Sequence, residues 1–292
     1  MIDYHLHLWP HGQADVEPTV EYLAGYVEAA ASEGVVEIAV TEHLYRFAQV
    51  GKVLGNFFQR YPETPMRALM ETYWRNNSTA DLDKYVEVAH AAKAAGLPVV
   101  VGLEVDYYEG EMDLVSDLLR GYPLDVLLGS VHWIADWPFD HVDDSFVQSR
   151  WREIGTEGAW EGYTRALEEL AATKSVDVLA HPDLIKVAGH LPAVPEEYFD
   201  RMAEAARDCG MVAEVSSAGW RKPIGEVYPA PYLLDKFAAY GVEITTASDA
   251  HSLSGVSFKS EELRSYVVAA GYHSLATFSK RRKKLTPVVP SV

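Results

Sequence analysis

The strongest constraint on this chain is a rhythm: short, wholly apolar runs alternate with amphipathic runs of helical length. The apolar runs fall at 2–7, 36–43, 98–107, 125–132, 176–181, 211–217 and 242–249. They are rich in Val, Ile and Leu and mostly lack a polar face, as parallel strands covered on both sides do. Helical patterns lie between them, near 18–33, 79–95, 112–121, 158–173, 195–209, 231–240 and 260–270. Stop signals such as Gly34 and Gly96–Pro98 punctuate them. Seven β-α units in a row predict a closed or nearly closed α/β barrel. An open doubly wound sheet is the alternative that periodicity alone does not separate. The 48% hydrophobic content of the 292 residues supplies the core for a single domain over 1–292. Two segments break the rhythm, an aromatic and Arg-bearing insertion at 44–77 and a second at 133–156 with three tryptophans. Long loops after strands are where such folds build their sites.

Charge narrows the function. The chain carries 43 acidic against 25 basic residues, a net of −18, which argues against a broad nucleic-acid footprint. The basic run Lys280–Arg281–Arg282–Lys283–Lys284 reads as a solvated helix C-terminus. Cys209 is the single cysteine, so an internal disulfide and a Cys-based zinc site are both excluded. No secretory leader is apparent. No apolar run approaches the roughly 20 residues that span a bilayer. A cytoplasmic setting is expected.

The chemistry sits at the strand ends. His5 and His7 close the first run, and residues two apart on a strand share a face. His11 follows in the loop. His43 ends the second run, Glu104 sits near the end of the third, His132 ends the fourth and His181 the fifth, while Asp249 and His251 close the seventh. In a parallel barrel these ends meet at one mouth. Any one of these histidines, taken alone, reads better as an ordinary hydrogen-bonded side chain. Together they form a set of nine N and O ligands, too many for one ion and suited to two or three divalent ions at about four ligands each. Such a centre serves hydrolysis. A metal lowers the pKa of bound water to about 7, and two ions about 3.5–4 Å apart clamp attacking and leaving oxygens. A carboxylate such as Glu104 can bridge two cations. A phosphate ester best rewards this concentration of charge.

The ordered set His-x-His, His, Glu, Ser130-Val131-His132, His181-Pro182-Asp183 and Ser248-Asp249-Ala250-His251 resembles the polymerase and histidinol phosphatase (PHP) family over essentially the whole chain. The segments Leu128–His132, His181–Lys186 and Ser217–Pro223 look like its histidinol-phosphate phosphatase branch. The resemblance implies a distorted (β/α)7 barrel with a trinuclear centre of zinc, iron or manganese. It implies one ion at His5, His7, Glu104 and Asp249, a second at Glu104, His132 and His181, and a third at His11, His43 and His251. The implied reaction is hydrolysis of L-histidinol phosphate by a hydroxide bridging two metals, with Asp249 or His251 managing the proton. Another small phosphate ester as substrate, or a non-catalytic metal-binding module, are the alternatives.

Phosphate also calls for Arg or Lys. Arg221, after the one strand without a ligand, is the first candidate. Arg150 and Arg152 in the second insertion follow, then Lys186. The ammonium and imidazole of histidinol would meet acids and aromatics at the mouth, drawn from Asp106, Glu109, Trp133, Asp136 and Trp137. His141 and His190 lie in loops near the mouth as lesser candidates for substrate contact.

Overall fold

A computed structural model describes residues 1–11 and 17–288. Seven strands form one parallel sheet in sequence order: β1 (Asp3–Leu6), β2 (Ile38–Val40), β3 (Val99–Asp106), β4 (Val126–Ser130), β5 (Val178–Leu179), β6 (Val212–Ser216) and β7 (Ile244–Ala247). Every residue of these strands is buried, because helices cover one face and the strands' own side chains fill the other. β1 meets the segment just past β7 through a parallel bridge, Leu6 to Ala250, with His7 N donating to Ala250 O at 2.8 Å. Thr246 Oγ1 also donates to Ile2 O at 2.7 Å. The sheet is thus a nearly closed barrel, and the open doubly wound alternative falls away.

The outer helices start where the sequence offers caps. Thr19 accepts from Tyr22 N at the head of α1 (Val20–Ser32), and Asp81 accepts from Asp83 N at the head of α4 (Leu82–Ala94). The first insertion folds into α2 (Ala48–Leu54), a 3-10 turn at Phe57–Arg60 and α3 (Pro65–Asn77), which opens on Thr64 as cap with proline in its first turn. After α5 (Met112–Leu119) and β4, the second insertion supplies α6 (Ser145–Ile154), capped by Asp144, ahead of α7 (Thr156–Thr173). The ring closes with α8 (Pro195–Cys209), α9 (Pro231–Ala239) and α10 (Ser260–Ala269). Phe58 and Trp74 of the first insertion pack on Tyr108 and Trp133, so the insertions wall the mouth as one aromatic cluster.

The basic C-terminal run is not a helix end. It is the turn and second strand of an antiparallel hairpin, β8 (Ser274–Ser279) with β9 (Arg282–Pro287). The hairpin lies at the opposite end of the barrel from the ligands. Phe278 N reaches Tyr4 OH, Lys280 N donates to Asp125 Oδ1 at 2.9 Å, and Arg281 pairs with Asp177. Cross-barrel anchoring outweighs the helical expectation. No helix among the described residues is long and apolar enough to cross a membrane.

Candidate metal centre

The parallel sheet delivers the strand ends to one floor, and Glu104 lies at its centre. Its Oε2 stands 3.3 Å from His5 Nε2, 3.5 Å from His7 Nε2 and 2.6 Å from His43 Nδ1. Its Oε1 stands 3.1 Å from His181 Nε2 and 3.3 Å from His132 Nε2. Asp249 Oδ1 lies 3.2 Å from His7 Nε2 and 3.8 Å from His5 Nε2. His43 and His251 face each other, Nε2 to Nε2, at 3.3 Å. Four overlapping groups of possible ligand atoms result: His5–His7–Asp249, His5–Glu104–His181, His43–Glu104–His132 and His7–His43–His251. Eight of the nine ligands expected from the sequence therefore converge. His11 is in none of these groups, although its ring stacks on His251 with centroids 3.8 Å apart.

The residues fit divalent cations on their own geometry. His5 Nε2, His7 Nε2, His43 Nδ1 and Glu104 Oε2 are buried and make no hydrogen bond. Buried polar atoms seldom go unpartnered, and an imidazole nitrogen facing a carboxylate and other imidazoles is a ligand arrangement. Burial by itself would raise the pKa of Glu104 and Asp249. The surrounding imidazoles prevail and hold both carboxyls well below the usual range. The same burial, with the charge of His7, pushes His43 and His251 down, toward the neutral form that ligates.

A second layer, not anticipated from the sequence, holds the rings. Glu214 Oε2 lies 2.7 Å from His5 Nδ1, Glu42 Oε1 3.3 Å from His7 Nδ1, and Asp106 Oδ1 2.6 Å from His132 Nδ1. Each carboxylate claims the far ring nitrogen and turns the near one to the centre. Glu42 also accepts from Leu8 N and His43 N, and pairs with the buried Arg46. Two carriers of ligand atoms take left-handed backbone, His181 at φ 26° and Asp249 at φ 50°. Asp3 braces the second, accepting from the backbone and hydroxyl of both Ser248 and Ser257. The fixed carboxylate offered a readable sign: β6 carries Glu214 inside an otherwise apolar buried run.

Above the floor opens a cavity of about 740 Å³. Its walls include Tyr45, Tyr73, Trp133, Asp140, His141 and Lys222. The expected substrate-binding residues fare unevenly. Arg221 donates from Nη2 to the carbonyls of Ser248 and, at 3.3 Å, of Asp249, so it borders the centre. Lys186 is fully buried between Asp183 at 2.9 Å and Glu226 at 2.6 Å. That double ion pair makes it a core brace and not a phosphate ligand. Arg150 pairs with Glu153 on α6, and neither it nor Arg152 lines the cavity. Asp106 is spent on His132, Asp136 accepts from Thr64 Oγ1, Trp137 donates to Val147 O, and Glu109 accepts from Tyr61 OH. Of the five residues expected to meet the organic part of a substrate, only Trp133 lines the cavity. His141 lines it with its ring on Tyr73, whereas His190 packs on Trp151 outside it.

The PHP domain family model matches residues 3–218. This chain belongs to the PHP domain family. The PHP match covers the first six strands, and the Asp249–His251 corner follows it. A probable histidinol-phosphatase of Deinococcus radiodurans is 29% identical over 262 residues, spanning 89% of this chain and 89% of that protein. A probable histidinol-phosphatase of Schizosaccharomyces pombe is 24% identical over 274 residues, 88% of this chain and 84% of its own. Two crystal structures share the PHP fold. The histidinol phosphate phosphatase of Lactococcus lactis, solved with zinc, L-histidinol and phosphate, has a TM-score of 0.69 at 20% identity over 97% of this chain and 98% of its own. The putative histidinol phosphatase of Listeria monocytogenes has a TM-score of 0.72 at 19% identity, over 90% and 99%.

Proposed function

We propose that this protein is a metal-dependent phosphomonoesterase that hydrolyses L-histidinol phosphate to L-histidinol and phosphate. The observation that carries the reading is Glu104, one buried carboxylate in reach of five imidazoles, in a PHP barrel whose full-length relatives are named histidinol-phosphatases.

Two to three divalent ions, drawn from zinc, iron and manganese, would be held by His5, His7, His43, Glu104, His132, His181, Asp249 and His251, with His11 at the rim. When bound, such ions lower the pKa of water and neutralise phosphate oxygens. The chain's own residues do the rest. Glu214, Glu42 and Asp106 fix the tautomers of the ligating rings. Asp249 is held ionised, and it or His251, 3.7 Å from it, is the group placed to manage the proton of the water that attacks phosphorus. Lys222 on the cavity wall and Arg221 at its edge supply positive charge for the phosphate. Asp140 also lines the cavity, and one of its oxygens is buried without a partner. It meets the ammonium or imidazole of the substrate. A cavity that offers both cations and an anion selects a zwitterionic phosphate ester.

The test is a substrate panel on protein reconstituted with Zn²⁺ or Mn²⁺. Histidinol phosphate should exceed p-nitrophenyl phosphate in kcat/KM by at least about 10²-fold, the scale of one or two charge-assisted contacts. Equal turnover of the two would leave a PHP phosphatase of another substrate.

A further inference from the structure

The first insertion builds a second concavity that the proposed chemistry does not use. It is a cleft of about 440 Å³ between α2 and α3. Ala48 and Gly51 of α2 and Gly55 just beyond it line one side, so much of that wall is backbone. A Cβ on Gly51 would meet Ser78 Cβ at 3.2 Å and stand 4.0 Å from Trp74 Nε1. Trp74 is 4% exposed, and its Nε1 has no hydrogen-bond acceptor. An indole N–H only donates, and buried tryptophans usually find an acceptor. Lys52 and Arg75 face the same cleft from α2 and α3, and among the described residues neither pairs with an acid. Gln59 and Asn56 at the mouth bond each other at 3.1 Å, which leaves the Asn56 amide a free donor. Glu71, the one acid there, is engaged by Arg67 at 2.9 Å. The cleft lining therefore sets two cations without an acid partner against one carboxylate that Arg67 already engages.

We propose that this cleft binds a small, multiply charged oxyanion, a phosphate or a dicarboxylate, and that its occupancy is felt in the catalytic cavity through Tyr45. Ser78 Oγ, on the cleft wall, donates to Tyr45 O at 2.7 Å. The Tyr45 ring stacks on His43 with centroids 4.9 Å apart, and its hydroxyl meets that of Tyr73 at 2.9 Å. Tyr45, Tyr73 and Trp74 are thus the partition between the two concavities, and an anion drawn against Lys52, Arg75 and Trp74 Nε1 presses on it.

The experiment reads indole N–H resonances of the ¹⁵N-labelled holoenzyme, with Trp74 assigned by Trp74→Phe. Inorganic phosphate, sulfate and succinate are titrated separately, which distinguishes the two anion classes. A saturable downfield shift of the Trp74 signal is expected, absent in the Lys52→Met/Arg75→Met double variant. Gly51→Leu, whose side chain would fill the cleft beside the indole, should abolish the titration equally, and the resonance it displaces serves for assignment if Trp74→Phe does not fold. An unmoved Trp74 signal with all three anions overturns the site. A linear drift that the double variant retains means an adventitious ion only, and overturns it too. For the coupling, KM of the phosphatase reaction should change at least twofold more with added anion in wild type than in the double variant, since inhibition at the catalytic centre is common to both. Binding with identical KM responses overturns the coupling.

Discussion

Glu214→Gln isolates the second layer of the metal centre, because Glu214 stands behind a ligand without facing the ions. Its Oε2 accepts from His5 Nδ1 at 2.7 Å and its Oε1 from His181 N at 3.2 Å, and it is wholly buried. A carboxylate accepts from both. A glutamine has one acceptor and one donor end. With its oxygen toward His181 N, the amide NH₂ faces His5 Nδ1 and drives the proton to Nε2, which removes the lone pair aimed at Glu104 and Asp249. With its oxygen toward His5, two N–H groups collide at His181. Either orientation breaks one contact at a fully buried group. Loss of such a backing contact lowers metal affinity or activity by roughly 10–100-fold, about 1.4–2.7 kcal/mol. With free metal held above saturation for both proteins, the same amount leaves the metal-dependent part of the stability. For a chain of this size that is on the order of 5 °C in Tm. The assay is metal content by mass spectrometry after gel filtration, with melting curves in metal-buffered and chelated solution. In chelator the two proteins should melt within a degree or two of one another. Unchanged metal content together with an unchanged metal-induced rise in Tm would refute the tautomer argument.

Four further outcomes follow from the same geometry. Glu104→Gln should strip metal from the centre and lower kcat by about 10²–10³-fold, the scale of losing one preorganised electrostatic group, with metal analysis and steady-state kinetics as the check. Asp140→Asn should raise KM for histidinol phosphate by about 10-fold or more, since a hydrogen bond to a charged group is worth about 1.5–3 kcal/mol, and leave p-nitrophenyl phosphate unaffected. Lys186→Met leaves Asp183 and Glu226 without their buried cation and should destabilise the fold by about 3–5 kcal/mol in urea titrations; a raised KM at unchanged stability would instead make it a substrate ligand. Partial burial pushes the Asp125 carboxyl up, but the Lys93 ammonium and the amides of Lys280 and Val101 hold it below its ordinary 3.8. Its contribution is therefore complete above that pH and is lost as pH falls beneath it, so the acid limb of unfolding of metal-free protein should flatten in Asp125→Asn.

The legible parts of this chain were those set by period and position. Strands buried on both faces cannot hide, and a ligand at the end of each falls at the mouth by topology alone. What escaped was set by partners distant in sequence. The second-layer acids Glu42, Asp106 and Glu214 show no partner in the sequence, although the apolar run around Glu214 marks it as buried, until the barrel brings His7, His132 and His5 against them. Lys186 shows its i−3 partner Asp183 in the sequence, but Glu226 lies 40 residues on. The C-terminal hairpin was unreadable for a similar reason. Its turn places Lys280 and Arg281 at φ 52° and 61°, where Asn-Gly is the usual signal. Asp125 and Asp177 hold that turn from across the barrel, so its chemistry is tertiary.

The second layer also changes what the ligands imply for folding. Asp3, Glu42, Glu104, Asp106, Glu214 and Asp249 gather in or beneath the site, and five of them are buried, Glu42 against the buried Arg46. Burial keeps the pKa of Asp3 raised, and burial with the charges of Glu104 and Asp140 holds that of Asp106 at about 6. A carboxylate cluster of this density is unfavourable without compensation, and imidazoles compensate only if they take up protons, which disqualifies them as ligands. Divalent ions satisfy both demands, since they neutralise Glu104 and Asp249 and leave the histidines neutral. Ion binding therefore adds to the stability of the folded chain. The strained backbone at His181 and Asp249 is sustainable because the same ions that would perform the chemistry would hold those two corners in place.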